Sequence, residues 1–574
     1  MSTMTRASGK EPLLTRSAGA VREACRSLAR TPKADLASAL LLGAVCLVML
    51  LTLSDYGLTY DEEPHIRYGE RVLEFYTGGL EGRRAMLRSS YGAGFDLAAA
   101  LLRRVSPWDE FQTNHFLCVF VAQLGLLGTW RLGRLVAGPL GGLLSLMFLV
   151  LTPVYYGHQF NNPKDIPFAA GYVWGLCFIA RVLQAARAES PQADPGGWRF
   201  WVSASVALAL GMSVRVGGAI LLAYLGLFLA LEALSTWRSR GFAALSRLRP
   251  LALGSVLSML GAWALMVAFW PRALLSPIAG PAAALESVSN YTVYDSPTLL
   301  AGETISSNHV PWSYIPTYFL VQLPELLLAC FVLGLSLLCL QTWRRLSRRE
   351  PVLWVWWLLA VAVLLPPGYA IVRGSTLYNG LRHFLFIIPP LAVLAAGAVS
   401  VLLGQVRRRG RVFRLGISAL LALYAADQAQ ASWRLHPYQH VFFNRASGGL
   451  ARAVGRYETE YYGSVYQELN ERLRERLWQT RRDTYLNTTF RVSGCGSKLF
   501  FSRNLPPNFE FRAMRRAQRS DFYVTYLRDG CLKQFRDRAP VVSVEREGTT
   551  LGIARDMKQK ARRKAAAAPS RSTP

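Results

Sequence analysis

The sequence has no Walker-type phosphate loop and no dinucleotide fingerprint, and its seven histidines and eight cysteines show no zinc-ligand spacing. Those absences exclude the common nucleotide-hydrolysing, nicotinamide-dependent and zinc-dependent enzymes. There is no internal repeat, so a solenoid is excluded as well. Acidic residues are scarce, 36 against 65 Lys and Arg in 574 residues. No small-residue cleavage site follows the first apolar run, which therefore reads as a retained signal anchor. A soluble inner domain, which a cytosolic nucleotide-sugar site requires, is also lacking.

What the chain does have is apolar length. Runs long enough to cross a bilayer as helices, about 18–25 residues each, recur through its first three quarters. They fall near 36–54, 115–135, 139–157, 166–185, 200–214, 216–234, 251–270, 314–340, 352–372, 384–404 and 413–432. The expected fold class is an all-α polytopic membrane protein of about eleven transmembrane helices with a small C-terminal extracytoplasmic α/β domain.

The formal charge of +29 could point to nucleic acid, but its distribution speaks against that partner. Alternate short loops carry Arg131 and Arg134, Arg187 and Arg199, Arg238 to Arg249, Arg344 to Arg349, and Arg407 to Arg411. By the positive-inside rule these loops and the basic N-terminal arm are cytoplasmic. The chain is thus expected in the plasma (inner) membrane as a multi-pass protein, with residues beyond 432 outside. The expected division is a mobile cytoplasmic arm over 1–35, a spanning domain over 36–432 with a first external loop at 55–114, a cap over 433–555 and a disordered basic tail over 556–574. Helices are predicted over 65–76, 95–105 and 462–481, the second amphipathic through Leu97, Leu101 and Leu102, with strands at 522–526 and 541–545. Cys495 and Cys531 share the external region and could pair there.

The polar, non-repetitive motifs all fall on the face opposite the basic loops, as the parts of one site must. The first is Tyr60-Asp61-Glu62-Glu63-Pro64-His65. Carboxylates where a helix surfaces suit a general base, a cation site or plain solvation. The second is His158-Gln159-Phe160-Asn161-Asn162-Pro163-Lys164-Asp165. Lys164 and free backbone N–H groups at a helix start suit a phosphate, and an ordinary turn capped by Asp165 reads equally well. Arg215 and the Arg382-His383 pair stand at helix ends, where they either grip a phosphate or snorkel to lipid headgroups. Tyr91, Glu303 and His309 complete the external polar set, loop polarity being the plainer account of the last two.

Taken in order, these residues resemble a family. The set Tyr60-Asp61-Glu62, His65, Tyr68-Gly69, Tyr91-Gly92, Phe95-Asp96 and Asn161-Asn162-Pro163-Lys164-Asp165-Ile166-Pro167 is similar to that of bacterial polyprenyl-phosphate-sugar-dependent glycosyltransferases of the GT-C superfamily. That superfamily contains protein O-mannosyltransferases and the aminoarabinose transferase of lipid A. Pro311-Trp312-Ser313-Tyr314-Ile315-Pro316, Gln322-Leu323-Pro324-Glu325 and Arg382-His383-Phe384-Leu385-Phe386-Ile387-Ile388-Pro389-Pro390 resemble its later motifs, and the likeness covers about residues 50–470.

The resemblance implies that Asp61 is the catalytic base with Glu62 beside it, Asp165 the second acidic position, and Lys164, Arg215, Arg382 and His383 donor-phosphate ligands. Glu63, a third carboxylate, leaves open which member is the base. It implies inverting transfer from a polyprenyl-phosphate sugar donor to a lipid, glycan or protein acceptor among membrane lipids. No cofactor is required, with room for a divalent cation at Asp61 and Asp165. The external region is no β-trefoil, so the eukaryotic mannosyltransferases' acceptor does not carry over. Three alternatives stay open: a lipid-linked glycan ligase or polymerase, a transporter or flippase of a lipid-linked or anionic solute, and a non-enzymatic scaffold.

Overall fold

A computed structural model describes residues 32–78, 91–188, 197–289, 295–406, 411–503, 505–528 and 530–560. The expectations for the arm before Pro32 and for residues 561–574 lie outside these residues.

Nine helices among the described residues are long and apolar enough to cross a membrane, beginning with Lys33–Leu51 and ending with Val412–Leu435. The longest, Glu110–Val150, is a hairpin. At Gly138, which precedes Pro139, the backbone takes φ 74°, a region open to glycine, while the proline cannot continue the hydrogen-bond ladder. The two arms then close on each other, so that a side chain at Gly133 would meet Ser145. Counting the arms separately and adding the helix Gly197–Val214 gives the eleven segments that the sequence marks out.

One predicted span is corrected. The run 314–340 is not one helix but two, Tyr314–Gln322 and Glu325–Ser347. Pro324 separates them, because the residue before a proline is pushed out of the helical region and Leu323 is extended at φ −99°, ψ 146°.

The helix Asp165–Arg187 lies at the centre, packed against both the hairpin and Gly197–Val214. Its approach to the latter is a backbone contact: a side chain at Gly171 would meet the Gly211 nitrogen at 2.5 Å. That closeness sets the end of Gly197–Val214, and with it Arg215, beside the start of the central helix.

The first loop holds two helices, Glu62–Thr77 and Gly94–Arg103. In the second, the three leucines of the predicted stripe do not share one environment. Phe95, Asp96, Leu97, Ala99 and Ala100 are buried while Leu101 is exposed, since Asp96 must point inward to reach His65 Nδ1 at 3.0 Å. A later loop forms a two-stranded hairpin, β1 (Pro297–Leu300) and β2 (Glu303–Ser306).

Beyond Leu435 the chain crosses the face of the bundle with Val441, Phe442 and Phe443 buried, then builds the cap. There Tyr466, Leu469, Leu473 and Leu477, spaced as one helical stripe, bury the inner side of Tyr466–Thr480. That helix packs on a five-stranded sheet made of β3 (Phe490–Gly494), β4 (Phe509–Arg512), β5 (Phe522–Tyr526), β6 (Arg538–Arg546) and β7 (Thr549–Lys560), in the order β4-β3-β5-β7-β6. β3 runs parallel to β4 and β5, and the other pairs are antiparallel. The cap reaches past the predicted limit of 555, because Asp556 pairs with Phe522 in the ladder and β7 runs through Lys560. A disulfide joins Cys495 to Cys531. One hydrophobic core runs unbroken from Val45 in the first helix to Ala554 in the cap.

Candidate functional site

Asp61 stands immediately before the helix Glu62–Thr77, and its side chain makes no capping bond there. The carboxylate is thereby left for other partners. Lys164 Nζ lies 3.1 Å and Arg382 Nη1 2.8 Å from the same oxygen, Oδ2. Arg382, only 3% exposed, also brings Nε to 3.8 Å from Asp165 Oδ2, and Asp165 is ion-paired with Arg215 through its other oxygen. The result is a chain of alternating charge, Lys164, Asp61, Arg382, Asp165, Arg215, with cations at both ends and one more cation than anion.

Each member is placed by its local structure. The segment from His158 to Asp165 is buried throughout. Asn162 Oδ1 accepts from the Asp165 N–H at 2.9 Å and so caps the central helix, while its Nδ2 donates to Asp165 Oδ2 at 2.9 Å and faces His158 Nδ1 at 3.2 Å. His158 Nε2 faces the Tyr461 hydroxyl at 3.1 Å. Burial and the neighbouring His440 hold the His158 pKa well below the usual range, so the ring is neutral. Tyr91 enters through the backbone: Gly92 presses so closely on Ser213 that only glycine fits, and Tyr91 bridges to Arg215. Its ring lies 5.7 Å from Lys164 Nζ. Arg382 is also flanked by rings, Tyr378 at 5.4 Å and Tyr462 at 5.3 Å.

Burial alone would raise the Asp61 pKa, but Arg382, then Lys164 and His65, outweigh it and hold the carboxyl far below the ordinary range. Asp61 also raises the pKa of Lys164 against its burial. Both are charged at neutral pH.

The structure therefore brings together Asp61, Lys164, Asp165, Arg215 and Arg382, with Tyr91, Asn162 and His158 adjoining. His383 stands next to them, half-buried, its ring 4.7 Å from that of Tyr378. His65 supports the loop from behind, bonded to Asp96.

Glu62 stands apart from the charged chain. As the first residue of its helix it turns away from Asp61 into the bundle, where it is 1% exposed. Its Oε2 accepts from the Thr59 N–H at 2.8 Å and its Oε1 lies 2.7 Å from His115 Nε2. Glu63 points outward and pairs with Arg67. Glu303 is exposed on β2 and His309 follows that strand, its Nδ1 3.5 Å from Ser306 Oγ; neither bonds to the charged chain among the described residues.

Tyr462 joins the site with little in the sequence to mark it. Its carbonyl accepts from the Tyr60 N–H at 3.2 Å, which ties the segment after the bundle to the residue preceding Asp61. The only local signal is an aromatic doublet, Tyr461-Tyr462, ahead of a glycine.

No family model and no curated protein matches the chain. Among solved structures it is similar to ArnT from Cupriavidus metallidurans bound to undecaprenyl phosphate, at 15% identity and a TM-score of 0.43, covering 90% of this chain and 97% of that one. The apo oligosaccharyltransferase of Archaeoglobus fulgidus is similar at 12% identity and a TM-score of 0.41, with 72% of this chain and 55% of that one covered. The AglB oligosaccharyltransferase of the same organism, in complex with an inhibitory peptide and a dolichol-phosphate, gives 12% and 0.41, with 81% and 66% covered. The chain thus spans between about half and two thirds of the length of those oligosaccharyltransferases.

Proposed function

We propose that this chain is a membrane glycosyltransferase of the GT-C type, transferring a sugar from a polyprenyl-phosphate donor to an acceptor at the extracytoplasmic face with inversion. One observation carries the reading: at the end of the central helix, Lys164, Arg382 and Arg215 alternate with Asp61 and Asp165 in a buried, cation-rich chain. Buried cations in excess over carboxylates make a seat for an anion, and a guanidinium suits a phosphate in particular. The charges gather at the ends of helices, around the starts of Glu62–Thr77 and Asp165–Arg187, which favours chemistry over transport.

In this mechanism the donor phosphate enters among Lys164, Arg382 and Arg215. It takes from Asp61 part of the cationic contact that Asp61 now holds, and the carboxylate becomes a stronger base. Asp61 accepts the proton of the acceptor's O–H or N–H, the acceptor atom bonds to the anomeric carbon, and the bond from that carbon to the phosphate oxygen breaks. The polyprenyl phosphate leaves with the electron pair as an anion held by the same cations, so no protonated acid is required. That electrostatic support supplies much of the acceleration. Asp61 and Asp165 are each occupied by basic side chains, and the reading is accordingly metal-free.

The experiment is sugar transfer from radiolabelled polyprenyl-phosphate sugars by purified protein, beside Asp61→Asn, with and without chelator. We expect turnover to fall about 10²-fold or more in the variant with donor still bound, and chelation to leave the wild type active. Turnover unchanged in Asp61→Asn would remove the base assignment. Turnover abolished by chelator and restored by a divalent cation would replace the metal-free scheme.

A further inference from the structure

Tyr462 is 2% exposed, and its hydroxyl has no hydrogen-bond partner among the described residues. A buried phenol without an acceptor is costly, and native proteins rarely leave one so. Its position is closely fixed. The Tyr462 and Gly463 N–H groups both donate to Oε1 of Glu460, at 3.0 and 2.6 Å. Gly463 then turns at φ 79°, where a side chain would strike Phe500 and Tyr60. The ring is wedged edge-on against His158 at 5.2 Å and lies over Arg382.

The ring's place over Arg382 sets the hydroxyl's surroundings. Burial pushes the phenol's pKa well up, so it remains a proton donor, and the charges acting on it include those of Arg382, Asp61 and Asp165. Two more donors of the same charged chain, Nε of Arg382 and Nε of Arg215, also lack a hydrogen bond. Three donors without a hydrogen bond thus adjoin one cluster of net positive charge.

Resting on the proposed reading of the site, we infer that Tyr462 is a substrate-binding residue whose hydroxyl donates a hydrogen bond to an oxygen of the lipid-linked phosphate held by Lys164 and Arg382. The site is then shared: the bundle supplies the cations, and the segment leading into the cap supplies a neutral donor that closes over them. A hydroxyl adds a directed hydrogen bond without adding charge to the site.

The test is binding of undecaprenyl phosphate and of undecaprenol to full-length protein, wild type beside Tyr462→Phe and Tyr462→Ala, with melting temperature followed in parallel. Phe keeps the ring over Arg382 and removes only the hydroxyl. We expect Tyr462→Phe to melt as the wild type does, to bind undecaprenyl phosphate about tenfold more weakly and to bind undecaprenol unchanged. Tyr462→Ala, which also uncovers Arg382, should lose more. Excess inorganic phosphate should not displace the lipid; if it does, the bond belongs to free phosphate and not to the lipid-linked group. Wild-type affinity in Tyr462→Phe, or an equal loss for phosphate and alcohol, overturns the inference while the site reading stands. A wild type that does not prefer the phosphate to the alcohol overturns both.

Discussion

The Asp61 carboxylate and the Arg382 guanidinium meet at 2.8 Å across 321 residues of sequence. Neither is exposed enough for water to stand in for its partner: the side chains are 20% and 3% exposed. The pair holds the loop before Glu62 against the start of the helical segment Gly380–Gln405, and it presents a guanidinium to the same space as Lys164.

Arg382 also spans Asp165 and two aromatic rings, which a lysine cannot do because its point charge lacks the planar fork. Arg382→Lys should therefore fold but bind a polyprenyl-phosphate donor about tenfold or more weakly, read as donor dissociation constant at constant melting temperature. Unchanged affinity would show that charge alone is wanted at this position.

The acid limbs of the two rate profiles should separate. In the free protein Arg382, Lys164 and His65 face Asp61 and keep it ionised far below the ordinary carboxylate range. A depressed pKa leaves the carboxylate charged as pH falls, so kcat/KM should hold until strongly acidic pH. With donor bound, the phosphate shares those cations, the Asp61 pKa rises, and kcat should fall off at a higher pH than kcat/KM does. Coincident limbs, or the reverse order, would count against displacement of Asp61 by the phosphate.

Glu62 should behave as a structural residue. Removing it in Glu62→Ala leaves His115 buried without its partner and the Thr59 N–H without an acceptor, a loss of about 3–5 kcal/mol in stability. Glu62→Gln retains an acceptor for Thr59 and should keep kcat per folded molecule within about tenfold. Thermal melts and active-site-normalised turnover separate the two effects. A Gln variant that melts normally yet turns over as poorly as Asp61→Asn would return Glu62 to the chemistry.

The contrast between Asp61 and Glu62 shows how far the sequence can be read. Helix ends, basic loops and polar motifs sharing a face are local properties, and they place Asp61, Lys164, Asp165, Arg215 and Arg382 near one another before any fold is known. Adjacent residues at a helix start are rotated by about 100° from each other, however, and nothing in three consecutive carboxylates says which one faces the bundle. The inward face of Gly94–Arg103 is hidden for a related reason: its apolar pattern groups Leu97 with Leu101, and the bond from Asp96 to His65, a long-range event, decides which of them is buried. Tyr462 is the least legible, since its place depends on a backbone bond to Tyr60 that no periodicity announces. The helix break at Pro324, by contrast, is written in the sequence, although the apolar run on either side masks it.

That bond between Tyr60 and Tyr462 has a consequence for how the protein is made. The first loop leaves the ribosome early, with Asp61 already in its sequence, whereas Arg382 and Tyr462 follow only after most of the membrane helices. Until they arrive, Asp61 lacks its guanidinium and the roof over it is missing. A nascent or truncated chain that stops short of Tyr462 thus lacks part of the cluster, which is completed near the end of synthesis, when the segment after Leu435 folds back onto the loop before Glu62.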